Sequence, residues 1–233
     1  LELDNHFIEA HYLYGLSCHS LGYLDLAESA LIKGEMIAAE KNNIQGLVYI
    51  YKGFNILYSN WGKWDKAKHN IEKAIKLSMQ LNNPSIEVMI RLDYASTLNH
   101  LQKIDLSIEQ NKQAISVLEN LEDERLLGIS YAILNNSYMI AGDYSLSIKC
   151  GKKAAGFFKK INMKNYLGRI LVVLAEVYSK TGRFEDMEEC IQNAEIIVNE
   201  FNDSLLKGKI ELLKAQNYLN NKKITFAISA IDN

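Results

Sequence analysis

The chain is 233 residues long, 48% apolar and 23% charged, with a formal net charge of -2 and one proline, Pro84. This composition excludes a disordered tail and a collagen-like or proline-rich linker. A slightly acidic chain also lacks the broad cationic surface that would bind nucleic acid directly. No apolar run approaches the ~18 residues of a membrane span, so a cytoplasmic chain without membrane partners is expected. The three cysteines, Cys18, Cys150 and Cys190, have no CxxC spacing, which indicates neither a zinc site nor a disulfide framework.

A 40-residue period organises the chain, and a period in this range marks a repeat architecture. The predicted repeats are 8–47, 48–87, 88–127, 128–167, 168–207 and an incomplete 208–233. In the first, Gly15 is the small residue at a helix crossing, Cys18 follows it, and Gly22 marks a turn. In the second, Tyr51, Phe54 and Tyr58 precede Gly62, and Trp64, Ala67, Ile71 and Ala74 form one helical stripe; Asn55 replaces the small residue. The third keeps Ala95 but has Gln102 in the glycine position. The fourth has Gly142, then a helix carrying Lys152, Lys153, Lys159 and Lys160 around Gly156, Phe157 and Phe158. Gly151 and Gly156 each cost about 1 kcal/mol there against alanine, which predicts either a close helix contact or a flexing point.

The fifth repeat reads most clearly as two helices. Leu171, Leu174, Ala175 and Tyr178 lie on one face, Thr181-Gly182-Arg183 breaks the chain, and Phe184, Met187, Ile191, Ala194 and Val198 form the second stripe. The sixth retains Ala215 and Tyr218 but has Lys222 in the glycine position. Second helices open with an acid (Asp25, Asp65, Asp105, Glu185), which suits the positive end of the helix dipole. They stop at Asn42-Asn43, Asn82-Asn83-Pro84, Asn162 and Asn202-Asp203. One such pair cannot bury its apolar faces alone, so the expected object is a stack of pairs around one core.

The recurrence of Tyr51, Phe54, Tyr58, Gly62, Ala67, Ile71 and Ala74, and of Leu171, Leu174, Ala175, Tyr178, Gly182, Ile191 and Ala194, resembles the tetratricopeptide repeat along essentially the whole chain. The period is longer than that family's common one of about 34 residues, and the proline after the second helix is missing. In this the chain resembles the longer-helix variety in bacterial regulators, such as peptide-sensing transcription factors and phosphatases and the sensor arm of maltose-type regulators. The resemblance implies an all-α solenoid of antiparallel helix pairs, a right-handed superhelix whose first helices line a concave groove. It implies binding of a protein or peptide and no chemistry.

The sequence contains no phosphate loop, dinucleotide fingerprint, HExxH or GxSxG, and no cofactor is implied. His19 and His100 lie near the groove but two repeats apart, too far to share a metal. On the resemblance, the groove is lined by positions two, five, nine, twelve and thirteen of each first helix. Position nine gives Leu16, Ile56, Ser96, Asn136, Glu176 and Gln216. Asn99, Asn136, Glu176 and Gln216 are the candidate donors or acceptors for a peptide backbone, with Ser96 beginning the polar run. Lys52, Arg169, Lys180 and Lys209 are the candidate cations for a carboxylate.

Trp64 is expected in the core and Trp61 over the turn, or as a partner anchor. A start at Leu1 and a stop at Asn233, midway through a second helix, predict a segment of a longer product with an output domain elsewhere. The alternative reading is a structural module that self-associates, as a homodimer, and binds no peptide.

Overall fold

The computed structural model describes residues 2–201 and 203–220, which form eleven α-helices and no strand. The rest of the predicted sixth repeat, including Lys222, lies outside the described residues, as does Asn202. The chain divides into two compact units, Leu1–Leu121 and Glu122–Asn233.

The first unit contains α1 (Glu2–Ser20), α2 (Leu24–Glu40), α3 (Ile44–Asn60), α4 (Trp64–Ser78), α5 (Pro84–His100) and α6 (Ile104–Leu121). The second contains α7 (Glu124–Ala141), α8 (Tyr144–Lys160), α9 (Lys164–Lys180), α10 (Phe184–Phe201) and α11 (Ser204–Asn220). Within each unit every helix packs against the next in sequence. First helices of successive pairs also touch: α1 with α3 and α3 with α5 in one unit, α7 with α9 and α9 with α11 in the other. The architecture is the all-α, solenoid-type arrangement of antiparallel helix pairs.

Turn chemistry explains the regularity. A residue in the left-handed region closes a helix every 20 positions: Gly22, Asn42, Gly62, Asn82, Gln102, Glu122, Gly142, Asn162 and Gly182 all have φ between 48° and 82°. Most of these turns carry a hydrogen bond that reaches back five positions, for example Tyr23 N to Cys18 O at 2.8 Å and Arg183 N to Tyr178 O at 2.9 Å. That is the Schellman closure. Except at α9, where Met163 makes no side-chain cap, the next residue then caps the following first helix. Asn43, Asn83, Asp123 and Asp203 accept from the backbone N–H groups of Gly46, Ile86, Leu126 and Leu206 at 2.7–3.3 Å.

The asparagine pairs expected to stop second helices therefore do two jobs, one residue closing a helix and the next opening another. First helices begin at Ile44, Pro84, Glu124, Lys164 and Ser204, one period apart each time. These starts lie about one helical turn before the repeat boundaries read from the apolar pattern, because the caps precede the first recurring apolar position.

Each unit has its own core. In the first, Leu31, Ile50, Leu57, Ile71 and Ile90 are fully enclosed; in the second, Tyr178, Met187, Ala194 and Ile210 are. All three cysteines are free and buried. Burial pushes the Cys150 thiol up and the Cys190 thiol up to about 11, so both stay protonated and inert at neutral pH.

Candidate functional site

In the first unit, α1 and α3 form a half-open cavity of about 440 Å³ lined by Ile8, Glu9, Tyr12, Leu13, Asn43, Gln45, Gly46 and Tyr49. Gly46 makes this approach possible. A Cβ there would lie 3.0 Å from Ile8 Cγ2 and 3.2 Å from the side chain of its own capping Asn43. The Tyr12 and Tyr49 rings stand 5.9 Å apart at a 48° tilt. Burial, the negative charge of Asp93 and the Tyr49 phenol together raise the Tyr12 hydroxyl to about 12. It is therefore a neutral phenol throughout the physiological range.

A polar network joins α3 to α5 beside it. Lys52 Nζ pairs with Asp93 Oδ2 at 3.0 Å, and Asn55 Nδ2 donates to Thr97 Oγ1 at 2.8 Å and to Ala67 O at 3.2 Å. Thr97 Oγ1 in turn donates to Asp93 O at 3.0 Å. Desolvation raises the Asp93 carboxyl and Lys52 pulls it part of the way back. Lys52, a candidate cation of the sequence, is thus paired with the carboxylate of Asp93 on α5. Asn99, a candidate donor or acceptor of the sequence, is buried. It is 2% exposed, because it lies one turn beyond the crossing residue Ala95 and shares its buried face. Ser96, between them, is exposed.

In the second unit, Asn136, Glu176 and Gln216 occupy one register on the three first helices α7, α9 and α11. Asn136 and Glu176 are half-buried and Gln216 is exposed. Glu176 lies 3.8 Å from Lys180, and Ser179 Oγ donates weakly to Gln216 Oε1 at 3.4 Å. Arg169 reaches Asn165 Oδ1 and Asp203 Oδ2, each at 3.4 Å, and is solvent-exposed, as are Lys180 and Lys209. None of these contacts is shorter than 3.4 Å.

Other singled-out residues have structural partners. Trp61 stacks on Tyr58 with centroids 6.4 Å apart and takes Lys63 Nζ at 3.1 Å from its centroid. Trp64 is half-buried and stacks at 4.2 Å on His100, whose desolvation lowers its pKa. His19 Nε2 meets Asn60 Nδ2 at 2.9 Å. Among the described residues no group of three or more His, Cys, Asp or Glu could hold a metal ion. No described helix is long and apolar enough to cross a membrane.

The Tyr12–Tyr49 cavity was not singled out in the sequence, although Glu9 and Tyr49 occupy groove position two and Tyr12 position five. The available signal was aromatic: tyrosines at groove positions of two successive first helices, with a glycine, Gly46, in the first turn of the second.

No protein-family model matches the sequence, and no curated protein does either. Solved structures do share the fold. BtubC (BKLC) from P. vanneervenii is 21% identical with a TM-score of 0.73, over 86% of this chain and 83% of that one. A Rap protein complexed with competence and sporulation factor is 16% identical with a TM-score of 0.79, over 99% of this chain and 63% of that one. A STAND protein with a tetratricopeptide repeat sensor, from Pyrococcus horikoshii, is 17% identical with a TM-score of 0.76, over 97% of this chain and 36% of that one. The chain thus spans less than two thirds of the Rap protein and about a third of the STAND protein. The fold is that of tetratricopeptide-type helical repeats.

Proposed function

We propose that the chain is a protein- or peptide-binding scaffold, the interaction segment of a bacterial cytoplasmic regulator, and that it recognises its ligand on the faces of its first helices. The observation that carries this reading is the cavity between α1 and α3, large enough for an aromatic or branched side chain. Tyr12 and Tyr49 offer rigid apolar surface with a hydroxyl at its edge, the combination favoured where a flexible partner is captured at low entropic cost. Among the described lining residues Glu9 supplies the charge, which suits a peptide with a basic residue or a free amine.

In the second unit, Asn136, Glu176 and Gln216 pair with the backbone of an extended chain, while Arg169, Lys180 and Lys209 take acidic groups. The complex of the Rap protein with competence and sporulation factor supports the assignment by likeness of fold. A ligand changes the output of an attached domain by no more than its difference in affinity between the two states it links.

Peptides selected from a random displayed library against the purified chain test the proposal by calorimetry. Tyr49→Ala and Tyr12→Ala are expected to weaken a selected peptide by at least about tenfold, about 1.4 kcal/mol, with the melting temperature of the unliganded protein little changed for Tyr49→Ala. Affinity unaltered by both changes contradicts the assignment.

A further inference from the structure

The second helices α8 and α10 of the second unit bury corresponding positions, one period apart: Ser147, Cys150, Gly151, Ala154 and Phe158 in one, Met187, Cys190, Ile191, Ala194 and Val198 in the other. Both pack against α9, so their exposed positions correspond as well. The charges on those faces are opposite. Helix α8 carries Lys149, Lys152, Lys153, Lys159 and Lys160 and no acid, whereas α10 carries Glu185, Asp186, Glu188, Glu189, Glu195 and Glu200 and no Lys or Arg.

The shapes are opposite too. Ile196 protrudes from α10 at 66% exposure, and the corresponding residue of α8 is Gly156. A Cβ at Gly156 would have nothing within 4 Å, so no close approach inside the protein requires glycine, although it costs about 1 kcal/mol of helix stability. Gly156 instead helps line a cleft of about 300 Å³ with Tyr131, Phe157, Lys153 and Lys160. The Tyr131 and Phe157 rings stack 6.0 Å apart at 9°, and Lys153 Nζ donates to the Tyr131 hydroxyl at 3.2 Å.

We propose that α8 and α10 together form a self-complementary interface with a second copy of this chain, in which Ile196 of each copy enters the cleft over Gly156 of the other. A twofold axis parallel to the two helices and midway between them sets α8 of one copy against α10 of the other at the same height. Each position of α8 then faces its counterpart one period further along the sequence. Lys149 meets Glu189, Lys160 meets Glu200, and Gly156 meets Ile196. Pairing α8 with α8 would oppose lysine to lysine, so charge selects the crossed arrangement. Within one chain Lys160 pairs with Glu124 and Lys164 with Glu200; these are exposed pairs of little worth and exchange readily. Glu195, held by Lys214, is not needed for the match.

Light scattering on the intact chain, whose monomer mass is 26.5 kDa, measures the association. The expected result is a concentration-dependent dimer that weakens as salt rises from about 0.05 to about 0.5 M. Ile196→Lys is expected to leave a monomer. Lys149→Glu alone and Glu189→Lys alone should each raise the dissociation constant about tenfold or more, and the doubly exchanged chain should recover most of the loss. As a second readout, a Gly156→Cys chain mixed with an Ile196→Cys chain should form a disulfide between copies, while neither does so alone. A chain that remains monomeric at every concentration overturns the proposal, including one that binds an acidic helix of another protein instead. So does a dimer indifferent to Ile196→Lys, or a charge exchange that restores nothing.

Discussion

Asn135 and Ser147 lock the crossing of α7 and α8 by bonding to each other in both directions. Asn135 Nδ2 donates to the carbonyl and to the hydroxyl of Ser147, each at 2.9 Å, and Ser147 Oγ donates back to Asn135 O at 2.9 Å. The same twelve-residue step is bridged in the first unit by Asn55 to Ala67 O and by Ser107 to Ala95 O, whereas α9 and α10 meet there through Ala175 and Met187. A polar clasp and a small-residue contact are thus two solutions to one packing problem. Asn135→Ala removes a buried, bonded amide and should cost about 1–3 kcal/mol, read as a lower urea midpoint with an unchanged m-value. No loss would mean that the clasp only replaces what alanine provides elsewhere.

Two glycines of one helix should respond to alanine with opposite signs. At Gly151 a Cβ would lie 2.6 Å from Leu174 Cδ2 and 2.8 Å from Asn135 Nδ2. Both neighbours are buried and the amide is already bonded, so neither gives way cheaply, and Gly151→Ala should destabilise by about 1–3 kcal/mol. At Gly156 the space is open, and Gly156→Ala should stabilise the second unit by up to about 1 kcal/mol. Thermal melts of the two variants, at concentrations low enough to avoid association, decide this.

Gln102 sits in the left-handed region at φ 57° where the corresponding turns have glycine at Gly22, Gly62, Gly142 and Gly182. That conformation costs an L-residue roughly 1–2 kcal/mol. Gln102 is exposed and its side chain is not needed for the turn. Gln102→Gly should therefore stabilise the first unit by about 0.5–1 kcal/mol, after the greater entropy of an unfolded glycine is subtracted. Differential scanning calorimetry should show a higher transition for that variant.

Alkaline pH should open the first unit. Tyr51 donates to Glu35 at 2.8 Å and Tyr94 to Glu72 at 2.9 Å. Desolvation first, then the bonded carboxylate, raises both hydroxyls to about 12. In the unfolded chain tyrosine releases its proton near 10. Between about 10 and 12 the folded state therefore holds protons that the unfolded state has lost, and stability falls as pH rises through that window. Replacing both tyrosines by phenylalanine should flatten the decline, followed by circular dichroism against pH.

The repeat was legible because turn geometry imposes glycine at fixed intervals and because Tyr178, Met187 and Ala194 recur on helical stripes. Gln102 hid one register of that signal, since the flanking helices hold the turn where its own preference would not. The double role of Asn42-Asn43 and Asn82-Asn83 was half legible: the break shows in composition, but the cap appears only once Asn43 accepts from Gly46 and Asn83 from Ile86. In the site, the register of Asn136, Glu176 and Gln216 follows from the period alone. The pairing of Lys52 with Asp93 does not, because it depends on how closely α3 meets α5, and the burial of Asn99 depends on which face α5 turns inward. Tyr12 and Tyr49 form a cavity only because Gly46 lets α1 approach.

Photo-crosslinking places the ligand most directly. With p-benzoylphenylalanine replacing Tyr49 on α3, a selected peptide should be captured upon irradiation, whereas the same group replacing the exposed Ile32 on the second helix α2 should capture none. Capture from the Ile32 position with none from the Tyr49 position would contradict the assignment of recognition to the first helices.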